Sequence, residues 1–292
     1  MERITKYVSV LSYPYTIVSS LLLFTLCTQH LTHLWSAYIA VGYGAIVISL
    51  HEWKFPFSRS WYPDFIDLSN DTIYLVLGQG ALEWLLMFSA LFLTTTLATI
   101  TPWRWESLWI HDSPLWMQAV AMLVVGDFFR YWLHRAFHRI QWMWRLHTVH
   151  HSPKRLYWVN VGRFHPFEQA LQFVVDAFVF ILLGVQAEVF SIYFVFYAVN
   201  GFYQHSNCLV RLGWLNWIVA GPELHRWHHS LDVEESNHNY GNNLILWDLI
   251  FGTRYLPKTR KVDNLGVLLP NFPVSIHKQF VAPFDRKLFP SS

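Results

Sequence analysis

Charge is scarce in this chain. Asp, Glu, Lys and Arg make up 14% of its 292 residues and nearly cancel, leaving a formal net charge of +2. The basic residues are scattered through connections rather than gathered in a stripe, which excludes nucleic acid as the partner. Cysteine is almost missing. Cys27 lies inside an apolar run and Cys208 just after one, and two such residues build neither a disulfide framework nor a Cys-based zinc site. No redox compartment follows from them. Also missing are a Cys-x2-Cys-His haem-attachment motif, a dinucleotide-binding glycine fingerprint, internal repeats and low-complexity tracts. The first apolar stretch is not followed by a small-residue cleavage site, so it reads as a retained span.

What fills the chain instead is apolar: 53% of the residues are hydrophobic and 18% aromatic, too greasy for an ordinary soluble domain. A bilayer core about 30 Å thick takes roughly 20 apolar residues per helix. Six stretches approach that length, at 11–29, 34–50, 72–100, 114–133, 167–185 and 187–204. The third is long enough to tilt strongly or to continue as a surface segment. The fourth has the clearest start, with Ser113 able to cap and Pro114 suited to the first helical position. The predicted fold class is all-α, a polytopic membrane helix bundle in a single domain over 1–292.

The short connections set the orientation. Arg3 and Lys6 precede the first span, Lys54 and Arg59 follow the second, and Arg135, Arg139, Arg145, Lys154, Arg155 and Arg163 follow the fourth. The alternate connections hold only Arg104. Both termini are therefore expected in the cytoplasm, and a bacterial inner membrane or an endoplasmic reticulum membrane both fit.

Sixteen histidines stand out against this background. Eight form three clusters: His134-x3-His138, His147-x2-His150-His151 and His225-x2-His228-His229. His165 and His205 lie between the second and third. All ten fall just outside the expected spans, on the cytoplasmic side. Spacings of three and four residues share a helix face, so each cluster offers two or three imidazoles to one point in space. His30, His33 and His111 land on the opposite face, while His51 and His277 are isolated; none of these is assigned to a metal.

Eight clustered imidazoles exceed the four ligands of a structural zinc and the three of a catalytic one, so the count fits two metals. Imidazole suits iron, zinc, copper and nickel alike. Location tilts the choice. At the bilayer boundary the available substrate is hydrocarbon, and attack on an unactivated C–H bond calls for activated oxygen, which iron supplies and redox-silent zinc does not. Three rivals remain. A di-zinc hydrolase or isomerase acting on lipid head groups would keep the same ligands. A membrane metal transporter would place its ligands within the spans, along a path. A silent lipid-binding relative would have lost cluster positions, and none is lost here.

The same residues carry a family likeness. The order His-x3-His, His-x2-His-His and again His-x2-His-His, among membrane spans, resembles the integral-membrane fatty acid hydroxylase and sterol desaturase superfamily of histidine-motif non-haem di-iron enzymes. Arg163-Phe-His-Pro-Phe-Glu168, Tyr203-Gln-His-Ser-Asn207, Pro222-Glu-Leu-His-Arg-Trp-His-His-Ser230 and Asn239-Tyr-Gly-Asn-Asn-Leu-Ile-Leu-Trp-Asp-Leu-Ile-Phe-Gly-Thr253 are similar to its signatures. The likeness runs from about residue 50 to 256.

The resemblance implies a membrane-bound, O2-dependent oxidoreductase that hydroxylates or desaturates a lipid, whether fatty acyl, sterol or related. Its cofactors would be two iron ions cycling between Fe2+ and Fe3+, with O2 as co-substrate. Electrons would come from an external donor such as cytochrome b5, a ferredoxin or a reductase. A cytoplasmic helical cap would enclose the dinuclear site. The layout is about 1–110 for the N-terminal spans, 111–256 for the catalytic region and 257–292 for a cytoplasmic tail.

By motif, the metal ligands would be His134, His138, His147, His150, His151, His225, His228 and His229, with His205 in the place of an additional histidine. His165 either binds metal, hydrogen-bonds behind a ligand or marks the helix entry before Pro166. His238 is not expected to be a ligand. Asp127, Asp176, Asn207 and Asp248 are the candidates for orienting ligand imidazoles, because a metal-bound histidine donates its other N–H to a carboxylate or amide. Most aromatic rings belong to interfacial belts and helix packing. Trp142, Trp144, Tyr157, Trp158 and Phe164 are candidates to line an apolar substrate cleft.

Overall fold

A computed structural model describes residues 2–100, 105–262 and 264–289; Arg104 lies outside the described residues. The helices in chain order are α1 (Glu2–Cys27), α2 (His33–Lys54), α3 (Phe65–Ile73), α4 (Glu83–Ile100), α5 (Leu115–Arg139), α6 (Gln141–His151), α7 (Pro166–Phe173), α8 (Val179–Leu182), α9 (Ala187–His205), α10 (Pro222–His228), α11 (Val233–Ser236), α12 (Leu246–Ile250) and α13 (Ile276–Val281). Among the described residues there is no strand, only isolated bridges such as Pro56 with Cys208 and Val219 with Leu244. The two cysteines are free.

Three helical runs are long and apolar enough to cross a membrane: Arg3–Cys27, His33–Lys54 and Phe65–Ile100. The third is α3 and α4 joined without a break by a π-helical stretch, Tyr74–Leu82. At 1.5 Å per residue it is about 54 Å long, well beyond a hydrocarbon core. Only 6% of its most apolar window is buried, and Val76, Leu77, Leu85, Phe88 and Phe92 present an unbroken apolar flank, the surface expected where lipid is the neighbour.

The other three expected spans also form helices, but with a different character. α5 carries Asp127 and Arg130 buried inside the bundle. α7 and α8 are joined by a second π-helical stretch, Val174–Phe178. α9 ends in the buried run Phe202-Tyr-Gln-His205. The expected start of α5 is off by one residue: Pro114 is the N-cap and makes no side-chain cap bond. Ser113 offers its carbonyl to the Gln118 side chain instead of capping.

α1, α2 and α9 pack on one another around Tyr13, Ile17, Ile48, Val199 and Tyr203. α5 packs on α9 around Met122, Phe180, Val189 and Tyr193. At one end of this bundle, Glu106 and His111 meet the turn at Gly184, whose φ of 66° suits glycine. At the other end, Glu52 Oε1 accepts the backbone N–H groups of Trp158 and Asn207. That second end carries α6, α10, α11 and α12, and with them every clustered histidine. Among the described residues the connections at the first end, 28–32, 105–114 and 183–186, contain no Lys or Arg; in the sequence the second of them also includes Arg104.

Candidate metal centre

Nine imidazoles converge at the polar end of the bundle in two adjoining groups. His134, His138, His147, His151 and His228 form one; His150, His205, His225 and His229 form the other. Within each group the ligand-capable nitrogens lie within 4.8 Å of one another. These are the nine histidines singled out by motif, and the structure brings all of them together.

The partition differs from the expected one. Each triple was expected to aim at a single point, yet both are split. His147 and His151, four residues apart on α6, join the group of five, while His150 turns to the group of four. His225 and His229 join the group of four, while His228 crosses to the group of five. Helix geometry explains this: residues i and i+4 differ by about 40° around the axis, whereas i+3 and i+4 differ by about 100°. The rings of His150 and His147 sit 5.2 Å apart and those of His151 and His229 4.4 Å apart, so the groups share a boundary.

Four pairs of Nε2 atoms within the groups stand close: His134 with His147 at 3.1 Å, His151 with His228 at 3.1 Å, His205 with His225 at 3.0 Å, and His225 with His229 at 3.1 Å. Neighbouring ligands on one ion with metal–nitrogen bonds of ~2.1 Å lie roughly 3.0–3.4 Å apart. Behind four rings the other nitrogen is anchored. The Nδ1–H of His134 donates to Tyr240 O at 2.9 Å and that of His147 to Glu168 Oε1 at 2.6 Å. Those of His205 and His228 donate to Asn160 Oδ1 and His238 O, both at 2.8 Å. Each anchor fixes the tautomer that leaves Nε2 with a free lone pair facing its group. His138 Nε2, His150 Nδ1 and His229 Nδ1 are buried with no hydrogen-bond partner among the described residues. Burial, reinforced by neighbouring imidazoles, holds His147, His150, His151 and His229 well below the ordinary histidine range. Neutral, clustered, partnerless imidazole nitrogens are a donor set for metal ions.

The four expected orienting residues do other work. Asp127 accepts from the backbone N–H groups of Asn243 and Leu244 and from the Asn243 side chain. Asp176 pairs with Arg130. Asn207 exchanges hydrogen bonds with Ser58. Asp248 accepts from Tyr240 N–H, Gly241 N–H and the Thr253 hydroxyl. None of the four bonds an imidazole, because each is drawn to nearer donors that would otherwise be buried unmet. Asp248 still acts at one remove, by fixing the residue whose carbonyl holds His134.

His165 caps α7: its Nδ1 accepts from Phe167 N–H at 3.2 Å and its Nε2 lies 3.0 Å from Phe280 O, so it belongs to neither group. His238 contributes its backbone carbonyl and stacks its ring on Tyr255. The anchors Glu168 and Asn160 went unassigned at the sequence level, although Glu168 closes the Arg163-to-Glu168 motif.

An apolar cavity of about 340 Å³ reaches both groups, with His134, His147, His150, His205 and His225 in its wall. A second, of about 240 Å³, continues it, and the two share Tyr38, Gln79, Gln172, Phe194 and Tyr197. Three helices show the direction: lining residues pass from Ala45 to Leu34 on α2, from Leu75 to Met87 through the π-helical stretch, and from His205 to Phe190 on α9. Along α9 this path is about 22 Å long. Of the aromatics expected to line it, Trp158 and Phe164 do. Trp142 is exposed, Tyr157 donates to Asp71, and Trp144 lies on the far side of the group of five, against His138 and His151.

Comparison with known proteins adds to this geometry. Residues 119–253 match the family model described as fatty acid hydroxylase. The chain is 31% identical over 243 residues to the ornithine lipid hydroxylase OlsE of Rhizobium tropici, covering 82% of this chain and 73% of that protein. It is 32% identical over 145 residues to the alkylglycerol monooxygenase of Homo sapiens, covering 49% of this chain and 31% of the relative. It is 26% identical over 173 residues to methylsterol monooxygenase 1 of Rattus norvegicus, covering 56% of each. The chain thus spans about a third of the human relative's length. No solved structure matches it.

Proposed function

The chain belongs to the fatty acid hydroxylase family, and from that footing we propose that it is a membrane-bound, O2-dependent di-iron oxidoreductase that hydroxylates a lipid C–H bond. The observation that carries the reading is the opening of both imidazole groups onto one apolar cavity in a helix bundle. A metal pair there faces hydrocarbon rather than bulk water. Hydroxylation rather than desaturation is favoured because the relatives just described are named as hydroxylases and monooxygenases. A lipid is favoured because all three names contain one.

His134, His138, His147, His151 and His228 would hold one iron and His150, His205, His225 and His229 the other. When bound, the irons would supply activation of O2 for attack on the C–H bond. The residues of the chain do the rest. Glu168, Asn160 and the carbonyls of Tyr240 and His238 keep four imidazoles aimed inward. Phe137, Trp158, Phe164 and Phe202 wall the inner cavity, where they would exclude water and hold one carbon of the lipid near the histidines. Electrons would reach the site from an external protein donor. We place the histidine end in the cytoplasm, since the opposite connections carry no basic residue but Arg104, and treat 1–292 as one domain.

Elemental mass spectrometry of the purified protein, with O2 uptake and 18O2 labelling in the presence of membrane lipids and a reductant, tests this reading. About two irons per chain and one 18O atom in a lipid product are expected. Two zincs per chain, with no uptake after reconstitution with iron, would overturn it in favour of a di-zinc lipid hydrolase.

A further inference from the structure

The outer cavity is not uniformly apolar. Among Leu34, Trp84, Met87 and Phe190 stand two carboxylates, Glu83 and Asp176, and the phenol of Tyr193. Ionisable groups inside a membrane bundle are expensive and face cavities with a purpose or pair with one another. Pairing accounts for only part of this set. Arg130 binds Asp176 through Oδ2, leaving Oδ1 buried and partnerless. Glu83 accepts only the Gln169 amide among the described residues, at 3.1 Å. Tyr193 is 7% exposed and its hydroxyl has no partner. With Arg130 balancing Asp176, the set carries one carboxylate charge, that of Glu83, with no basic partner, beside an unmet Asp176 Oδ1 and an unmet phenol.

The charges are also ordered along the passage. Arg130 lines the inner cavity and not the outer one; Glu83 and Asp176 line the outer and not the inner. Arg130 lies four residues before His134, about 6 Å along the helix. A ligand's anionic group in the outer cavity would meet two carboxylates, whereas a cationic one would meet the uncompensated Glu83, the unmet Oδ1 of Asp176 and a phenol oxygen.

We propose that the outer cavity binds the ammonium group of an amine-bearing lipid, with Asp176 and Glu83 as its counter-ions and Tyr193 Oη as a further acceptor. That such a lipid is the substrate rests on the hydroxylase reading; the binding itself does not.

The test is calorimetric titration of the metal-loaded protein, in phosphatidylcholine nanodiscs at pH 7, with dodecylamine, dodecanol and sodium dodecanoate. Dodecylamine should bind at least tenfold more tightly than dodecanol, and dodecanoate most weakly. Glu83→Gln and Asp176→Asn should each weaken the amine tenfold or more, and Tyr193→Phe severalfold, with dodecanol unchanged. Asp176→Asn strips Arg130 of its counter-ion, so if it does not fold, the other two variants decide. Equal affinity for amine and alcohol, or variants that weaken both alike, overturns the proposal. The two readings fail separately. Amine selectivity in a protein that consumes no O2 keeps the site and removes the hydroxylase. Lipid hydroxylation without amine selectivity keeps the hydroxylase and removes the site.

Discussion

His147 donates its Nδ1–H to Glu168 Oε1 across 2.6 Å, and both side chains are buried. The same oxygen accepts from the Gln172 amide at 2.9 Å. The ring is thus held from behind, with Nε2 turned to His134. Partners of this kind are typically worth 10–100-fold in metal affinity. Glu168→Ala is expected to weaken metal binding by about that much, and Glu168→Gln by less, in competition titrations against a chelator. Wild-type affinity in both variants would refute an orienting role.

His225 and His165 should separate a ligand from a cap. His225→Ala removes one of four imidazoles from its group, and metal content should fall from about two ions per chain toward one. His165→Ala should leave metal content unchanged and lower stability by about 1 kcal/mol through loss of the cap. Elemental analysis and thermal unfolding of the two variants check this; equal metal loss in both would show that the assignment is mistaken.

Acid should undo the site. In the metal-free protein, burial pushes His228 down to about 4 and holds His150, His151, His225 and His229 well below their ordinary range. In the unfolded chain the same groups titrate near ~6.5. Between those values the unfolded state binds protons that the folded state does not, so stability falls as pH drops, by up to about 1.4 kcal/mol per unit for each histidine. Buried carboxyls such as Asp248, pushed up to about 6 by burial, act in the opposite sense, so the measurement is of the rings themselves: by NMR of the metal-stripped protein these imidazoles should stay neutral at pH 6. Rings that protonate near ~6.5 would contradict the buried, neutral state.

Gly42 lines the inner cavity, and a Cβ there meets nothing within 4 Å. Gly42→Phe therefore places a ring in the passage without a clash at its root. Metal content should be unaffected while kcat/KM for a long-chain lipid falls at least tenfold. Unchanged kinetics would mean that the substrate travels elsewhere.

Much of the fold and the site was legible because it is local. Long apolar runs announce α1, α2 and α4, and pairs four residues apart, such as His134 with His138, announce a shared helix face. What was hidden depends on distant parts of the chain. Tyr240 and His238 hold imidazoles with backbone carbonyls, which leave no trace in residue type. Asn160 reaches His205 from a short 3-10 turn across 45 positions. Asp127 and Asp248 misled because a carboxylate near a histidine motif looks like its partner. Only the folded loop at 240–244 shows that backbone N–H groups claim them first.

The split doublets bear on how firmly the two centres are spaced. His150 and His151 are consecutive, as are His228 and His229, and each doublet gives one ring to each group. Consecutive Cα atoms stand about 3.8 Å apart whatever the rest of the chain does. The gap between the centres is therefore spanned twice by single peptide units, one on α6 and one at the end of α10. Sliding or tilting of these helices would thus carry both centres together, like two beads on a pair of rigid links, rather than draw them apart.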